Sequence, residues 1–384
     1  MSISGVILKW NILLFLLILS IGSLAQKTMH VRGQVSLVSS YAPDNELEGF
    51  IGARYIPEID YGIQIDSVKG RSIDFEASAN LSGSSLFSLF DDATSQGSLQ
   101  PYRLWARYSS PQFELRAGLQ KIDFGSASLL RPLQWFNQID PRDPLQLTNG
   151  VYGILGRYYF LNNSNVWFWS LIGNTRTRGF DILETNKNIP EFGSRMQYPT
   201  KKGEIALSYH YRNAMVDVRL GFPTIDKIPE HRFSIDGKWD LAIGFWFEAA
   251  VVHKEVDLGT LTNQVFLNVG ADYTFGIGNG LHVVLEHLTT GSDNSVLGFE
   301  NKANVTGATI SYPIGFFDNL SSVYLYNWTS KDIILNMIYN HEFEHISGYL
   351  MAFYNPTTAI GFQQNDLVNQ FAGPGIRVML VYNY

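Results

Sequence analysis

The chain has no cysteine, few charged residues and no long apolar run after its N-terminal segment. Without cysteine it has no disulfides, no thiolate metal ligands and no cysteine nucleophile. Charged residues make up 16% of the 384 residues, against ~25% in typical soluble proteins. After Leu24, no stretch approaches the ~20 consecutive apolar residues that a membrane helix needs. The net charge of −7, with no basic run, argues against a nucleic-acid partner.

Residues 1–25 have the three parts of a secretory signal peptide. Lys9 supplies the positive charge, residues 12–19 form the apolar run, and Ser23 and Ala25 place small residues before a cleavage site. The apolar run is too short to cross a bilayer as a helix. We therefore expect export and cleavage near Ala25. An uncleaved anchor is the alternative.

The remaining residues, 26–384, are rich in aromatic residues and glycine. Aromatics reach 14% of the chain, with 20 Tyr and 25 Phe, and there are 34 Gly. An exported chain of this composition without a membrane helix is typical of a transmembrane β-barrel. The composition therefore predicts a membrane protein that crosses with strands.

Apolar and polar residues alternate in segment after segment, as they do on strands with one wet and one dry face. In the stretch that ends the chain, one face carries Ile376, Val378, Leu380, Tyr382 and Tyr384. Arg377 falls on the opposite face and is assigned to the lumen. This aromatic-tipped segment resembles the closing strand of bacterial outer-membrane β-barrels, which in that family is read by the barrel-assembly machinery. We expect it to pair with the first strand, near residues 29–41.

The connections between these segments alternate between short and long, as they do in outer-membrane barrels. Short turns are predicted near residues 109–111, 162–164, 212–214, 276–279 and 317–319. Long loops are predicted near residues 83–98, 126–150, 175–202, 223–230, 289–302 and 356–373. The predicted fold is all-β: a transmembrane antiparallel up-and-down β-barrel of about 18 strands, with 16 as the fallback. A secreted soluble β-sandwich or propeller is the alternative.

The loop at residues 126–150 is the best candidate for a functional element. A barrel of this size is too wide for its own side chains to fill, so whatever narrows the lumen decides function. The loop contains three prolines and several apolar residues that would be costly on an exposed tip. We therefore expect it to fold inward.

The segment around this loop also resembles a known family. Residues 115–125 read Leu-Arg-Ala-Gly-Leu-Gln-Lys-Ile-Asp-Phe-Gly, and residues 139–144 read Ile-Asp-Pro-Arg-Asp-Pro, followed by Gly150-Val151. This pattern is similar to the strand-loop-strand signature of porin-like barrels in the alginate-export and related families. The resemblance covers residues 115–151 and implies the fold rather than a solute.

Arginines on the strands that flank the loop form a predicted basic patch. If Tyr102, Leu104, Ala106 and Tyr108 face lipid, alternation turns the arginines between them inward. The predicted pore-lining and constriction residues are Arg103, Arg107, Arg116, Arg157, Arg131, Trp135, Phe136, Asp140, Arg142 and Asp143. The arginines would attract anions, and the two aromatic rings would offer a stacking surface to sugars. Alternatively, the loop carboxylates pin the loop to the wall through ion pairs.

Later strands place further charges on the inner face, among them Asp236, Glu248 and Glu286. Their arrangement around the lumen depends on the folded structure.

Two enzymatic interpretations are weaker. His341 and His345 fit a His-Glu-x-x-His motif, but the sequence there alternates as a strand, and two pleats on a strand are too far apart to share one zinc. His210 with Ser208, and His287 with Ser292, are loose hydrolase candidates without a Gly-x-Ser-x-Gly turn. We therefore expect no enzyme activity, no metal and no cofactor.

The function predicted from the sequence is an outer-membrane porin or channel for passive diffusion of small hydrophilic solutes, with acidic saccharides or small carboxylates favoured. The alternative is a non-conducting barrel that acts as an assembly factor, adhesin or scaffold. The expected partners are outer-membrane lipid of a Gram-negative bacterium, the barrel-assembly machinery and small solutes. Assembly as a homo-oligomer stays open.

Overall fold

The structure, a computed structural model, describes residues 27–88, 93–216, 224–356 and 371–384. The described residues fold into β-strands, and none of them belongs to a helix long and apolar enough to span a bilayer. The strands are β1 Lys27–Tyr41, β2 Gly49–Asp66, β3 Arg71–Phe87, β4 Ala93–Ser110, β5 Phe113–Gln120, β6 Val151–Tyr159, β7 Asn165–Leu171, β8 Glu184–Thr185, β9 Glu191–Thr200, β10 Gly203–Val216, β11 Ile225–Asp240, β12 Gly244–Lys254, β13 Asn263–Phe275, β14 Leu281–Asp293, β15 Asn301–Pro313, β16 Asp318–Asn327, β17 Ile333–Glu342, β18 Ile346–Asn355 and β19 Gly373–Asn383. The predicted signal peptide lies outside the described residues.

The strands close into an antiparallel barrel. β8 has only two residues and pairs with the end of β10, so the wall of the described chain consists of the other eighteen strands. Each wall strand pairs with its neighbours in chain order, and β1 pairs with both β2 and β19. Closure leaves no open sheet edge. The predicted all-β, 18-stranded barrel is confirmed, as is the pairing of the last strand with the first.

The alternating sequence produces two different faces. On β19, Ile376, Val378 and Leu380 are exposed on the outside, whereas Arg377 and Met379 are buried inside. The same pattern leaves large apolar side chains on the outer surface of most other strands. A continuous apolar outer wall suits a lipid environment, where the strands satisfy their own backbone hydrogen bonds.

Within the described residues, one end of the barrel carries only short connections. They are residues 67–70, 111–112, 160–164, 201–202, 241–243, 276–280, 314–317 and 343–345. The opposite end carries the longer loops, including residues 121–150 and 172–190. The predicted alternation of short turns and long loops is therefore present, although several predicted turn and loop boundaries were wrong.

The predicted turn at residues 212–214 lies inside β10. Asn213 and Ala214 are almost fully buried, and β8 and β11 flank this stretch and hold it extended. The turn that precedes β10 is at residues 201–202, within the predicted loop 175–202. β9 also lies within that predicted loop. On β9, Phe192, Met196 and Tyr198 are exposed on the outer face, an alternation that Gly, Ser and Pro residues obscured in the sequence.

Three other predicted loops are shorter than expected. β3 and β4 extend into residues 83–98, β11 starts within residues 223–230, and β14 continues to Asp293. Residues that are typical of turns are extended here, because pairing with neighbouring strands satisfies their backbone hydrogen-bonding groups. Most of the predicted loop 356–373 lies outside the described residues.

Candidate functional site

The connection between β5 and β6, residues 121–150, is here named the inner loop. It includes the predicted loop 126–150. Its hydrogen bonds reach strands on several sides of the barrel, so its path is fixed by contacts rather than by its own secondary structure. These contacts decide which part of the interior stays accessible.

Glu248 on β12 and Glu286 on β14 hold the first half of the inner loop. The Glu286 carboxylate accepts backbone N–H bonds from Ser128, Leu129 and Leu130 at 2.6, 3.2 and 2.6 Å. It also accepts from the Trp246 indole at 3.0 Å. Glu248 accepts from two more backbone amides of the loop, those of Ala127 and Leu133. Backbone donors converging on a buried carboxylate satisfy groups that would otherwise be costly to bury.

The second half of the inner loop is held on the opposite side. Arg142 forms a bidentate pair with Asp140, at 3.0 and 2.8 Å, and donates to Asn355 on β18 at 2.8 Å. Asn336 on β17 donates to the Arg142 carbonyl. Asp143 is buried and accepts a bond from the Leu145 amide within the loop. Asp140 and Asp143 were predicted to line the pore beside the arginines of β4–β6. The structure instead buries both carboxylates near β17 and β18.

Apolar side chains of the inner loop fill the space between these anchors. They pack with inward residues of β6, β7 and β12–β17 in one cluster, whose loop members are Ile122, Phe124, Ala127, Leu129, Leu130, Leu133, Trp135 and Phe136. This packing buries apolar surface inside the barrel. Apolar side chains therefore fill the space between the inner loop and the inner faces of these strands.

Trp135 and Phe136 do not offer a free stacking surface. They are 3% and 2% exposed, and their rings pack against Phe124, Trp169 and His210. The predicted sugar platform is therefore wrong. The rings are used for packing because the loop lies against β7 and β10, which the sequence did not reveal.

Arg103 and Arg131 also have structural contacts. Arg103 donates to the Thr148 carbonyl at 2.9 Å and joins the end of the inner loop to β4. Arg131 pairs with Asp123 within the loop at 2.7 Å. Neither contact is the predicted ion pair between a loop carboxylate and the wall, because Arg103 bonds a backbone carbonyl and the Arg131–Asp123 pair lies within the loop.

The predicted orientation of Tyr102 is wrong because β4 contains a bulge at this residue. The register shifts between Ser78 and Ala79 on the partner strand, and Tyr102 lines a cavity with Ile56, Glu58 and Leu147 of the interior. Tyr102 was predicted to face lipid. An extra residue in one strand turns a side chain to the other face.

The remaining predicted arginines lie on the accessible side of the lumen. Arg107 bonds Asp74 on β3, and Arg116 bonds Glu114, both at 3.1 Å. The Arg116 guanidinium lies 4.7 Å from the ring centre of Trp105. Such stacking fixes guanidinium planes without consuming all their N–H donors.

Arg157 completes this group and lies 3.9 Å from the ring centre of Trp167. It also approaches Glu114 at 3.8 Å. The structure therefore brings together three of the predicted arginines, Arg107, Arg116 and Arg157, on adjacent strands.

Acidic residues that sequence reasoning missed lie beside these arginines. Glu58 and Asp60 on β2 both bond Arg32 of β1, the former at 2.6 Å, and Asp60 lies opposite Glu76 of β3. Their inward alternation was the available signal, but prolines and scattered charges blurred it. We name the charged inner face of β1–β6 the exposed arc. It comprises Arg32, Glu58, Asp60, Asp74, Glu76, Arg107, Glu114, Arg116 and Arg157.

Charged side chains on the opposite wall are instead buried in ion pairs. Arg212 bonds Glu230 and Asp181, and Arg195 forms a bidentate pair with Asp236 at 2.6 and 2.8 Å. The side chain of Arg212 is 1% exposed, against 32% for Arg107. Buried apolar clusters thus lie on β6, β7 and β12–β17 and, separately, on β1, β2 and β17–β19, whereas the charged side chains of the exposed arc stay partly accessible.

The enzyme-like motifs do not form recognisable sites. His341 bonds Asp318 of the neighbouring strand at 2.7 Å, whereas His345 lies in the turn at residues 343–345. Across the described parts of the chain, no group of three or more His, Asp or Glu residues could hold a metal ion. His210 is bonded to Glu191 and Trp169, not to Ser208.

The fold is similar to solved outer-membrane proteins. OmpT of Vibrio cholerae, described as a trimer form, aligns with a TM-score of 0.54 and 10% identity over 93% of this chain and 99% of its own. OccAB1 of Acinetobacter baumannii gives 0.56 and 9% over 93% and 96%. An anion-selective porin from Comamonas acidovorans gives 0.52 and 11% over 94% and 100%. At these identities the similarity establishes the fold. No protein-family model matches the chain, and no curated protein is similar to it in sequence.

Proposed function

We propose that this protein is an outer-membrane channel for passive diffusion of small hydrophilic solutes. The observation that carries the proposal is the exposed arc: a row of charged side chains that stay partly accessible inside a barrel that the inner loop otherwise packs. Buried charges without a passage are normally paired and sealed, as Arg212 is. Charges that remain hydrated inside an apolar outer wall instead suit a water-filled path.

The exposed arc has acidic and basic sections. Glu58, Asp60 and Glu76 lie on β2 and β3, whereas Arg116 and Arg157 lie on β5 and β6. We propose that solutes pass between these sections and the inner loop, which leads to weak net charge selectivity. Acidic saccharides and small carboxylates are favoured where the path follows the arginines, because guanidinium groups bind carboxylates well.

The test is the reversal potential of single channels in a planar bilayer. Replacing Arg107, Arg116 and Arg157 by Gln should shift the selectivity towards cations. Replacing Glu58 and Glu76 by Gln, together with Asp60→Asn, should shift it towards anions.

Lys201→Gln is the matched control, since it removes an exposed cation from a short turn outside the lumen. Opposite shifts in the two variants support the proposed path. A wild-type barrel that conducts no current, or equal shifts in all three variants, contradicts it.

Localisation and partners belong to the same proposal. Export after cleavage near Ala25, residence in the outer membrane of a Gram-negative bacterium and recognition of the last strand by the barrel-assembly machinery are consistent with the fold. The Vibrio cholerae relative is described as a trimer form, and we propose that this chain also forms a homo-oligomer. The resemblance of residues 115–151 to alginate-export barrels stays a hypothesis about ancestry.

A further inference from the structure

A wide recess lies on the outer face of the barrel, over β7 and β9–β13. Its volume is about 770 Å³, within the range of ~300–1,000 Å³ that is typical of ligand pockets. Most of its lining is apolar and includes Phe168, Met196, Leu207, Phe233 and Leu267. We name this recess the outer groove. It interrupts the apolar wall that the other strands present to lipid.

Small side chains between large ones create the outer groove. Ser194 on β9 and Ala249 on β12 line it. Ser194 lies opposite Phe168, and Ala249 lies opposite Leu267. The two large side chains are 64% and 45% exposed, so they rise above the small ones and leave a space between them. Leu297, from the end of the barrel that carries the longer loops, also lines the groove.

Polar side chains border the outer groove on the side of the longer loops. The next outward positions along β10, β11 and β12 are Tyr211, His231 and His253, and strand register places them side by side. Tyr209, which lines the groove, donates from its hydroxyl to Nδ1 of His231 at 2.9 Å. Nε2 of the same ring donates to the exposed carboxylate of Glu255 at 3.0 Å. We name these five residues the polar rim.

An apolar recess beside a polar rim matches an amphiphile. The outer groove is continuous with the apolar wall that contacts lipid, so an acyl chain is the occupant that its surface favours. The longer loops of outer-membrane barrels are extracellular. The polar rim therefore lies at the level of the head groups of the outer leaflet.

The chemistry of the polar rim favours a sugar head group over a phosphate. Its one acidic side chain, Glu255, repels a phosphate but accepts hydrogen bonds from hydroxyl groups. The rings of Tyr211 and His231 lie 5.2 Å apart between centres, and such rings combine an apolar face with a polar tip. Stacking faces next to hydrogen-bonding groups suit a saccharide.

We infer that the outer groove and the polar rim together bind a sugar-headed lipid of the outer leaflet. The acyl chain lies in the groove and the sugar lies on the rim. The inference goes beyond the proposed function, because it concerns the outer surface and holds whether or not the barrel conducts.

The test is native mass spectrometry of the folded barrel in a polyoxyethylene detergent. The probe is glucosyl dipalmitoylglycerol, and dipalmitoylphosphatidylglycerol is the comparison, since the two lipids share their acyl chains and differ in the head group. The sugar lipid should bind saturably. The phosphate lipid should bind at least about tenfold more weakly, as expected from the loss of one or two hydrogen bonds.

Two variants test the two parts of the site. Ala249→Phe fills the outer groove while the outer face stays apolar, so binding of the sugar lipid should fall about tenfold. Ala352→Phe is the matched control, because Ala352 is an exposed alanine on β18, outside the groove. It should bind the sugar lipid like the wild type.

His231→Leu removes the central ring of the polar rim. Binding of the sugar lipid should again fall about tenfold, whereas binding of the phosphate lipid should stay unchanged, a difference that a general loss of structure would not produce. Equal binding of the two lipids to the wild type, binding that does not saturate, or wild-type binding by Ala249→Phe or His231→Leu overturns the inference. An equal loss in Ala352→Phe and Ala249→Phe also overturns it.

Discussion

Glu286→Ala should release the inner loop and increase the current through the barrel. Glu286 lies at 0% exposure on β14 and accepts bonds from three consecutive backbone amides of the loop, as well as from the Trp246 indole. Removing the carboxylate leaves these donors without their partner in the interior. The perturbation therefore acts on the loop and leaves the strand ladders intact.

The magnitude follows from these bonds. A buried donor left unsatisfied costs roughly 1–3 kcal/mol, so three backbone amides give about 3–9 kcal/mol against the packed loop conformation. Water entering the site offsets part of this cost. The remainder is comparable to the stability of a typical domain, about 5–15 kcal/mol, so the loop should leave its position in a substantial fraction of molecules.

Single-channel recording and limited proteolysis together measure this effect. Glu286→Ala should show larger, fluctuating conductance and cleavage within residues 121–150, while the barrel keeps its β-sheet circular dichroism. Glu300→Ala is the control, because it removes an exposed acid from the neighbouring loop at residues 294–300. Wild-type conductance together with a protease-resistant loop in Glu286→Ala would refute the anchoring role of this carboxylate.

Three further predictions concern stability, each measured by urea unfolding in detergent or lipid vesicles. Trp135→Ala should lower the free energy of unfolding by about 3–5 kcal/mol, since the ring is buried in the loop cluster; a change below ~1 kcal/mol would contradict that packing. Asp236→Ala should cost about 3–5 kcal/mol, because it leaves the guanidinium of Arg195 buried without its partner; restored stability in the double variant with Arg195→Met is the check. Leu267→Arg should cost about 2–4 kcal/mol in lipid, because this exposed side chain lies on the outer face; a neutral result would show that the face does not contact lipid.

The barrel itself could be predicted from the sequence because its signal is local. In residues 376–382 every second side chain, from Ile376 to Tyr382, is large, apolar and exposed outside, whereas Arg377, Met379 and Val381 lie inside. The predictions were wrong where the local residue pattern and the strand pairing of the folded protein disagree. Asn213 resembles a turn residue, yet β8 and β11 hold its strand extended. Tyr102 breaks the alternation because a bulge inserts one residue.

The candidate site was predicted only in part. Alternation placed Arg107, Arg116 and Arg157 on the inner face, and the structure brings them together on adjacent strands. It could not show that Trp135 is covered, because the covering groups belong to other strands.

The sequence by itself determined the architecture of this protein: a period of two, repeated between turns, specifies strands with an apolar and a polar face, and both are properties of neighbouring residues. Only the tertiary structure decided which inward charges meet water. Ser128 of the inner loop and its partner Glu286 are 158 residues apart in the chain. Such bonds hold the inner loop inside the barrel and leave the exposed arc accessible. Contacts over such distances depend on how the closed barrel brings strands together, and no local pattern encodes them.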